Sequence, residues 1–294
     1  MSVHQEEKKQ KKNVSDFRLW KNKATPIVML TAYDFAMAGI VGESGADIIL
    51  VGDSGGMVSL GYPSTIPVTM QDMIFMTSSV SRANTNCLIV ADMPYLSYEI
   101  SIEDAIKNAG RLIKEGGADC VKLEGGIPRY ETIKALVRAG IPVMGHVGLT
   151  PQTSTSLGGF KVQGKSLEAA RDVVLDAEAV QEAGAFSIVL EAIPAALADL
   201  ITQRLVIPTI GIGAGLNCDG QVLVLNDVLG MFQKFTPKFV RRYADLYETM
   251  VDACRRFGED VRSHDFPAPE NTYKMDNVVL QELKSLLANS KVTD

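Results

Sequence analysis

Cysteine is scarce and scattered in this 294-residue chain: four residues, at 87, 120, 218 and 254, with no CxxC pair. That spacing indicates neither a cysteine zinc site nor a disulfide framework. Cys87 and Cys120 open apolar runs and read as small buried hydrophobes, and all four suit a reducing cytoplasm. Long apolar runs are also missing. None approaches the roughly 18 residues of a membrane span, and the first twelve residues, MSVHQEEKKQKK, have no apolar stretch that would make a secretory signal. Basic clusters are lacking too: 29 Lys and Arg are dispersed among 35 Asp and Glu, for a net charge of -6. This gives no footprint for nucleic acid or an anionic membrane. The glycine-rich segment GIGAGLNCDG, from Gly211, is not followed by GK[ST] or a full GxGxxG pattern, so it reads as a tight turn rather than a phosphate loop.

What remains is a chain that is 46% hydrophobic and 22% charged, suited to one large α/β domain acting on small molecules. Short β-rich runs alternate with longer helical patterns from about residue 26 to 263. Eight strand segments are expected: PIVMLTAYD from Pro26, DIILVGDS from Asp47, CLIVADMP from Cys87, CVKLEGG from Cys120, PVMGHVGL from Pro142, SIVLEAI from Ser187, PTIGIGAG from Pro208 and QVLVLND from Gln221. Eight such units favour a closed (β/α)8 barrel, although too few residues separate the last two for a full helix. Thr69, Ser101 and Ser166 read as helix N-caps, and Gly45, Gly116, Gly140 and Gly184 as left-handed C-terminal caps. Helical period resumes beyond Phe239 and again in VVLQELKSLL. The expected organisation is a flexible polar tail over 1–13, a barrel over 14–270 and a helical extension over 271–294, with no second domain.

Five strand segments end in polar groups, which places Asp53, Asp92, Lys122 with Glu124, His146 and Glu191 at matching positions. Parallel strands would gather these ends on one rim. Buried strands carry charge only where it is paired, metal-bound or facing a cavity. Asp53 and its neighbour Ser54 read as site residues or as turn residues. Asp92, before Met93-Pro94, has the same two readings. Two carboxylates on adjacent strands, with Glu124 near, suit a hard cation such as magnesium. Lys122 and Glu124 share a face, as a mutual salt bridge or as part of a polar site. His146 is a core histidine or a site group, and Glu191 a base or a cap for the helix PAALADLI. The loop SLGGFKVQGK, 156–165, is a lid or a solvated connection.

The motifs LTAYD (30–34), VGDSGGMVSLGYPSTIPVTMQDM (51–73), ADMP (91–94), VKLEGG (121–126), GHVGLTPQ (145–152), LGGFKVQGK (157–165) and PTIGIGAGLNCDGQVLVLNDVLG (208–230) resemble, in order, the ketopantoate hydroxymethyltransferase family. The likeness covers about residues 14 to 270. It implies a cytoplasmic, magnesium-dependent barrel that moves a one-carbon unit from 5,10-methylenetetrahydrofolate to 3-methyl-2-oxobutanoate through a magnesium-stabilised enolate, forming 2-dehydropantoate. By the same likeness Asp53, Asp92 and Glu124 hold the metal, Asp53, Ser54, Asp92 and Lys122 hold the oxo acid, and Glu191 takes the proton. His146 has an auxiliary polar role, and the assembly is a homo-oligomer, a decamer in bacteria. Gly55, Ala192 and Asn226 depart from the commoner DSLG, ECVP and VLHD. The rival readings are a magnesium-dependent carbon-carbon lyase of the isocitrate lyase type, which calls for a cysteine in a rim loop, and a non-catalytic barrel subunit.

Overall fold

The computed structural model describes residues 10–155 and 158–289. Each expected strand segment contains a strand: β1 Ile27–Thr31, β2 Ile48–Val51, β3 Leu88–Asp92, β4 Cys120–Lys122, β5 Val143–Gly148, β6 Ser187–Glu191, β7 Thr209–Ile212 and β8 Gly220–Leu223. All pair in parallel and in chain order, and β8 returns to β1, so the expected barrel is closed. The connection from β7 to β8 carries no helix. Gly220 lets β8 approach β1 closely: a Cβ there would lie 2.5 Å from the Ile27 carbonyl oxygen and 2.8 Å from Ile210 Cδ1. The strands are shorter than the apolar runs. Glu124 falls past β4 because its N–H turns to the Tyr98 hydroxyl (3.2 Å), and Asp53 likewise lies beyond β2.

The helices are α1 Val14–Asn22, α2 Phe35–Glu43, α3 Gly55–Val58, α4 Met70–Ser81, α5 Ile102–Lys114, α6 Tyr130–Arg138, α7 Leu167–Glu182, α8 Ala195–Arg204, α9 Leu225–Val228, α10 Leu246–Ser263 and α11 Asn277–Asn289. Thr69, Ser101 and Ser166 cap α4, α5 and α7 by accepting the N–H groups of Asp72, Asp104 and Ala169. Gly45, Gly140 and Gly184 have left-handed backbones. After α5, however, the left-handed residue is Gly117 (φ 76°), not Gly116. The helical period beyond Phe239 also overreached: α10 starts at Leu246, and Tyr243 N–H instead donates to the Val228 carbonyl. The chain divides into two compact units, Met1–Ala244 with the barrel and Asp245–Asp294 with α10 and α11. Among the described residues, no helix is long and apolar enough to cross a membrane.

Alternation along the strands sorts their side chains into two cores. Ile49, Val51, Ile89, Ala91, Val121 and Val143 pack in an outer cluster with residues of the surrounding helices. Ile48, Leu50, Leu88, Val90, Cys120, Met144, Val189, Ile210 and Val222 fill the barrel itself. Phe17 of α1, 1% exposed, belongs to this inner cluster, with Val14 and Trp20 packed against it. Three ion pairs tie the same amino-terminal segment to residues just ahead of strands: Lys12 to Asp47, Lys11 to Asp119 and Lys21 to Asp219, each at 2.7 Å. Each aspartate also accepts a backbone N–H at the amino end of a neighbouring strand, from Val28, Ile89 and Thr209 respectively, at 2.8 Å. Helix α1 thus closes the amino-terminal end of the barrel. The polar tail expected over 1–13 lies outside the described residues as far as residue 9.

Emptying the Phe17 position leaves a cavity in a packed core, so Phe17→Ala should lower stability by about 3–5 kcal/mol. Urea unfolding followed by circular dichroism measures it, and a midpoint equal to wild type would show that α1 is not part of the barrel core.

Candidate active site

The inward parity that lines the barrel with apolar side chains continues to the carboxyl ends of the strands, where it becomes polar. Leu88 and Val90 lead to Asp92, Cys120 to Lys122 and on to Glu124, Met144 to His146, and Val189 to Glu191. Strand pairing sets Asp92 beside Lys122, and His146 contacts both Glu124 and Glu191, so these groups form one layer. Asp53, Asp92, Lys122 and Glu124 are each at most 5% exposed and His146 is 2% exposed. Glu191, its side chain 15% exposed, is the more open member.

Contacts within the layer are short. Lys122 Nζ lies 2.7 Å from Asp92 Oδ1, so the lysine pairs with Asp92 rather than Glu124. This is an ion-pair contact outside hydrogen-bonding angles, and Asp92 Oδ1 is buried without a hydrogen bond of good geometry. Asp92 Oδ2 accepts the Asp53 N–H at 3.1 Å. His146 bridges two acids, with Nδ1 3.5 Å from Glu124 Oε1 and Nε2 3.1 Å from Glu191 Oε2. Lys122 Nζ also sits 3.4 Å from Nδ1. Glu191 therefore faces the layer. It does not cap α8, whose N-cap is Pro194 without a side-chain bond.

Burial of so many like charges moves the proton equilibria. The Asp53 carboxyl is pushed up to about 8, first by burial and then by Asp92 and Glu124, with Lys122 and Gln152 opposing. For Lys122, burial works against the charge, yet Asp92, Glu124 and Asp53 together hold its pKa above the ordinary value. For His146, burial and Lys122 also disfavour the cation, but hydrogen bonds to Glu124 and Glu191 raise it to about 9. Nε2 faces Glu191 alone, while Nδ1 faces both Glu124 and Lys122.

Several neighbours escaped the sequence reading. The Ser54 hydroxyl is held at 2.9 Å by Tyr33, which is almost fully buried. Gly55, one of the departures from the commoner motif, is explained by the same ring. A Cβ there would sit 2.5 Å from Tyr33 Cδ1 and 2.7 Å from Met76 Sδ, so these residues already occupy the space of a side chain. Ala192 has a left-handed backbone (φ 47°) beside Glu191, and Asn226 lies within α9. Gln152, 3% exposed, donates from Nε2 to Asp53 Oδ2, and its backbone N–H donates to Glu124 Oε2. Neither Gln152 nor Tyr98 carries charge or strand periodicity; the one signal was the Gln ending GHVGLTPQ. Of the lid or connection expected at 156–165, Ser156 and Leu157 lie outside the described residues, and Gln163 N–H donates to the Ala192 carbonyl beside Glu191.

The donor set fits a hard divalent cation by its chemistry: carboxylate oxygens, one of them held by an ion pair alone, crowded enough to drive Asp53 toward the protonated form. Among the described residues no three His, Cys, Asp or Glu side chains are arranged to ligate one ion, so binding one would require Asp92 Oδ1 and Glu124 Oε1 to leave Lys122 and His146.

A closed parallel barrel with a polar, acid-rich layer at the carboxyl ends of its strands defines an enzyme of the (β/α)8 class. Solved structures of similar fold include a phosphonopyruvate hydrolase in complex with oxalate and Mg++ (TM-score 0.58, 12% identity, covering 94% of this chain and 96% of that one). Another is a 2,3-dimethylmalate lyase (TM-score 0.55, 15% identity, covering 95% and 98%). The chain belongs to the ketopantoate hydroxymethyltransferase family, whose sequence profile matches residues 11–269. Among its relatives is the 3-methyl-2-oxobutanoate hydroxymethyltransferase of Clostridium novyi, 54% identical over 273 residues, covering 93% of this chain and 99% of that protein. The protein of the same name from Moorella thermoacetica is 55% identical over 254 residues, covering 86% and 94%.

The raised Asp53 group yields a prediction whose sign follows from linkage. The folded state binds this proton more tightly than the unfolded chain does. The resulting stability is full below the ordinary aspartate value and drains as pH rises toward about 8. Metal-free wild type should therefore lose more melting temperature than Asp53→Asn between about pH 5 and pH 8. Parallel calorimetric slopes for the two proteins would count against it.

Proposed function

We propose that this chain transfers a hydroxymethyl group from 5,10-methylenetetrahydrofolate to 3-methyl-2-oxobutanoate, forming 2-dehydropantoate. The observation that carries the reading is the inner layer itself, in which Glu191 stands across His146 from the acids and Lys122. Relatives 54 and 55% identical, named for the same activity, support it. The hydrolase and lyase likenesses, at 12 and 15% identity, extend to the fold alone. The lyase reading also needs a rim-loop cysteine. Cys87 and Cys120 are buried at the amino ends of β3 and β4, Cys218 adjoins Asp219 ahead of β8, and Cys254 lies on α10.

Asp53, Asp92 and Glu124 are the residues that would hold a divalent ion, with magnesium matching their oxygen donors. When bound, it supplies Lewis acidity at the oxo acid, making the C3 proton easier to remove. The remaining work belongs to the chain. Lys122, kept cationic by its acid neighbours, and Ser54, fixed by Tyr33, orient the carboxylate and keto oxygens of the substrate. Glu191 accepts the C3 proton at its carboxylate; the carbon so activated bonds to the methylene carbon as one of its two C–N bonds to the folate breaks, and water supplies the hydroxyl as the second breaks, the two folate nitrogens taking up the protons released. His146, its Nε2 3.1 Å from Glu191 Oε2, holds that carboxylate beside the other acids by charge. Apolar faces on α11, including Val278, Val279, Leu283 and Leu286, support assembly as a homo-oligomer, for which a decamer is the state to test by light scattering.

Glu191→Gln should slow C3 proton exchange of 3-methyl-2-oxobutanoate in deuterated water, without folate, by about 10²–10⁴-fold. Exchange at the wild-type rate removes Glu191 from the role of base. In the coupled assay with both substrates, chelation should abolish turnover and added magnesium restore it. Turnover that survives chelation would overturn the metal assignment.

A further inference from the structure

Each of the three acids assigned above to the metal has one carboxylate oxygen engaged by an N–H donor. Asp92 Oδ2 takes the Asp53 N–H, Asp53 Oδ2 takes Gln152 Nε2 at 2.9 Å, and Glu124 Oε2 takes the Gln152 N–H at 3.1 Å. The other oxygens of Asp92 and Glu124 face Lys122 and His146. One residue on the turn after β5 thus supplies two of the three tethers.

The orientation of the Gln152 amide is determined by its partners. Nε2 lies 2.9 Å from the Met93 carbonyl oxygen, which only accepts, so the donor end must point there. Tyr98 Oη accepts the Glu124 N–H and therefore directs its own proton to Gln152 Oε1, at 2.6 Å. Both amide hydrogens and the amide oxygen are thereby occupied. A side chain so saturated and buried has nothing left for a substrate; its effect passes through Asp53. The residues involved come from the carboxyl ends of β2, β3, β4 and β5, so the ring of bonds also fixes those four turns relative to one another.

We propose that Gln152 is a positioning residue, held by Tyr98, that aims the Asp53 carboxylate, and through its backbone the Glu124 carboxylate, for cation binding. The inference rests on the metal assignment above and extends it to a residue outside the ligand set. Orienting partners of metal-binding carboxylates typically contribute 10–100-fold in affinity.

The sign of one substitution distinguishes this from packing and from simple charge. Gln152→Glu keeps the shape but replaces a donor toward Asp53 with another acid. Charge alone would tighten cation binding, whereas loss of aim weakens it. Mn2+ titration of the substrate-free protein, read by electron paramagnetic resonance, should show binding weakened about 10–100-fold in Gln152→Glu and in the similarly sized Gln152→Met. Tyr98→Phe leaves Gln152 in place but removes the anchor of its oxygen, and should weaken binding in the same direction by less. Because Mn2+ above its dissociation constant refills the site, turnover of Gln152→Glu should recover as Mn2+ is raised, which a damaged fold would not do. Unchanged or tighter Mn2+ binding in Gln152→Glu, or unchanged binding in Tyr98→Phe, overturns the proposal. Failure of wild type to bind Mn2+ would instead refute the metal assignment beneath it.

Discussion

The structure depends on one costly arrangement: four carboxyl groups, Asp53, Asp92, Glu124 and Glu191, gathered around a single lysine and a single histidine where little water reaches. Charges removed from water must be repaid by partners of good geometry, and an unmatched one is destabilising. The remaining features of the carboxyl-terminal end answer that requirement. Lys122 closes on Asp92, His146 stands between Glu124 and Glu191, Gln152 and the Asp53 backbone engage the oxygens left over, and Asp53 itself leans toward its neutral form. A barrel interior suits this, because eight short strands can each bring one side chain to a common layer without a long loop.

The two ends of the barrel handle charge by opposite means. At the amino end, lysines of the segment around α1 meet Asp47, Asp119 and Asp219 one to one, and each aspartate also accepts a strand-end N–H. The balance there is complete, as befits a structural end. At the carboxyl end acids outnumber cations, and the excess is what makes that end reactive toward a cation. Between them, apolar layers from Phe17 to Met144 keep the two populations apart.

Much of this was legible in the sequence because a strand repeats every two residues. Val90 and Asp92, Cys120 and Lys122, Met144 and His146, Val189 and Glu191 are spaced so that a buried apolar residue and a polar one share a face, and the apolar run betrays the strand. Legibility stopped where the chain leaves the ladder. Gln152 and Tyr98 sit on turns, uncharged and without period, and their partners come from other strands, so their importance arises only through tertiary contact. The shift of the left-handed cap from Gly116 to Gly117 and the late start of α10 at Leu246 have a similar origin. Backbone hydrogen bonds, decided by what each segment packs against, override local pattern.

The ion pair between Lys21 and Asp219 spans nearly two hundred residues, joining the first helix to the residue that precedes the last strand. The end that α1 covers exists only once β8 has paired with β1, so this contact brings together residues 198 apart, the kind of non-local pairing whose loop-closure entropy slows folding.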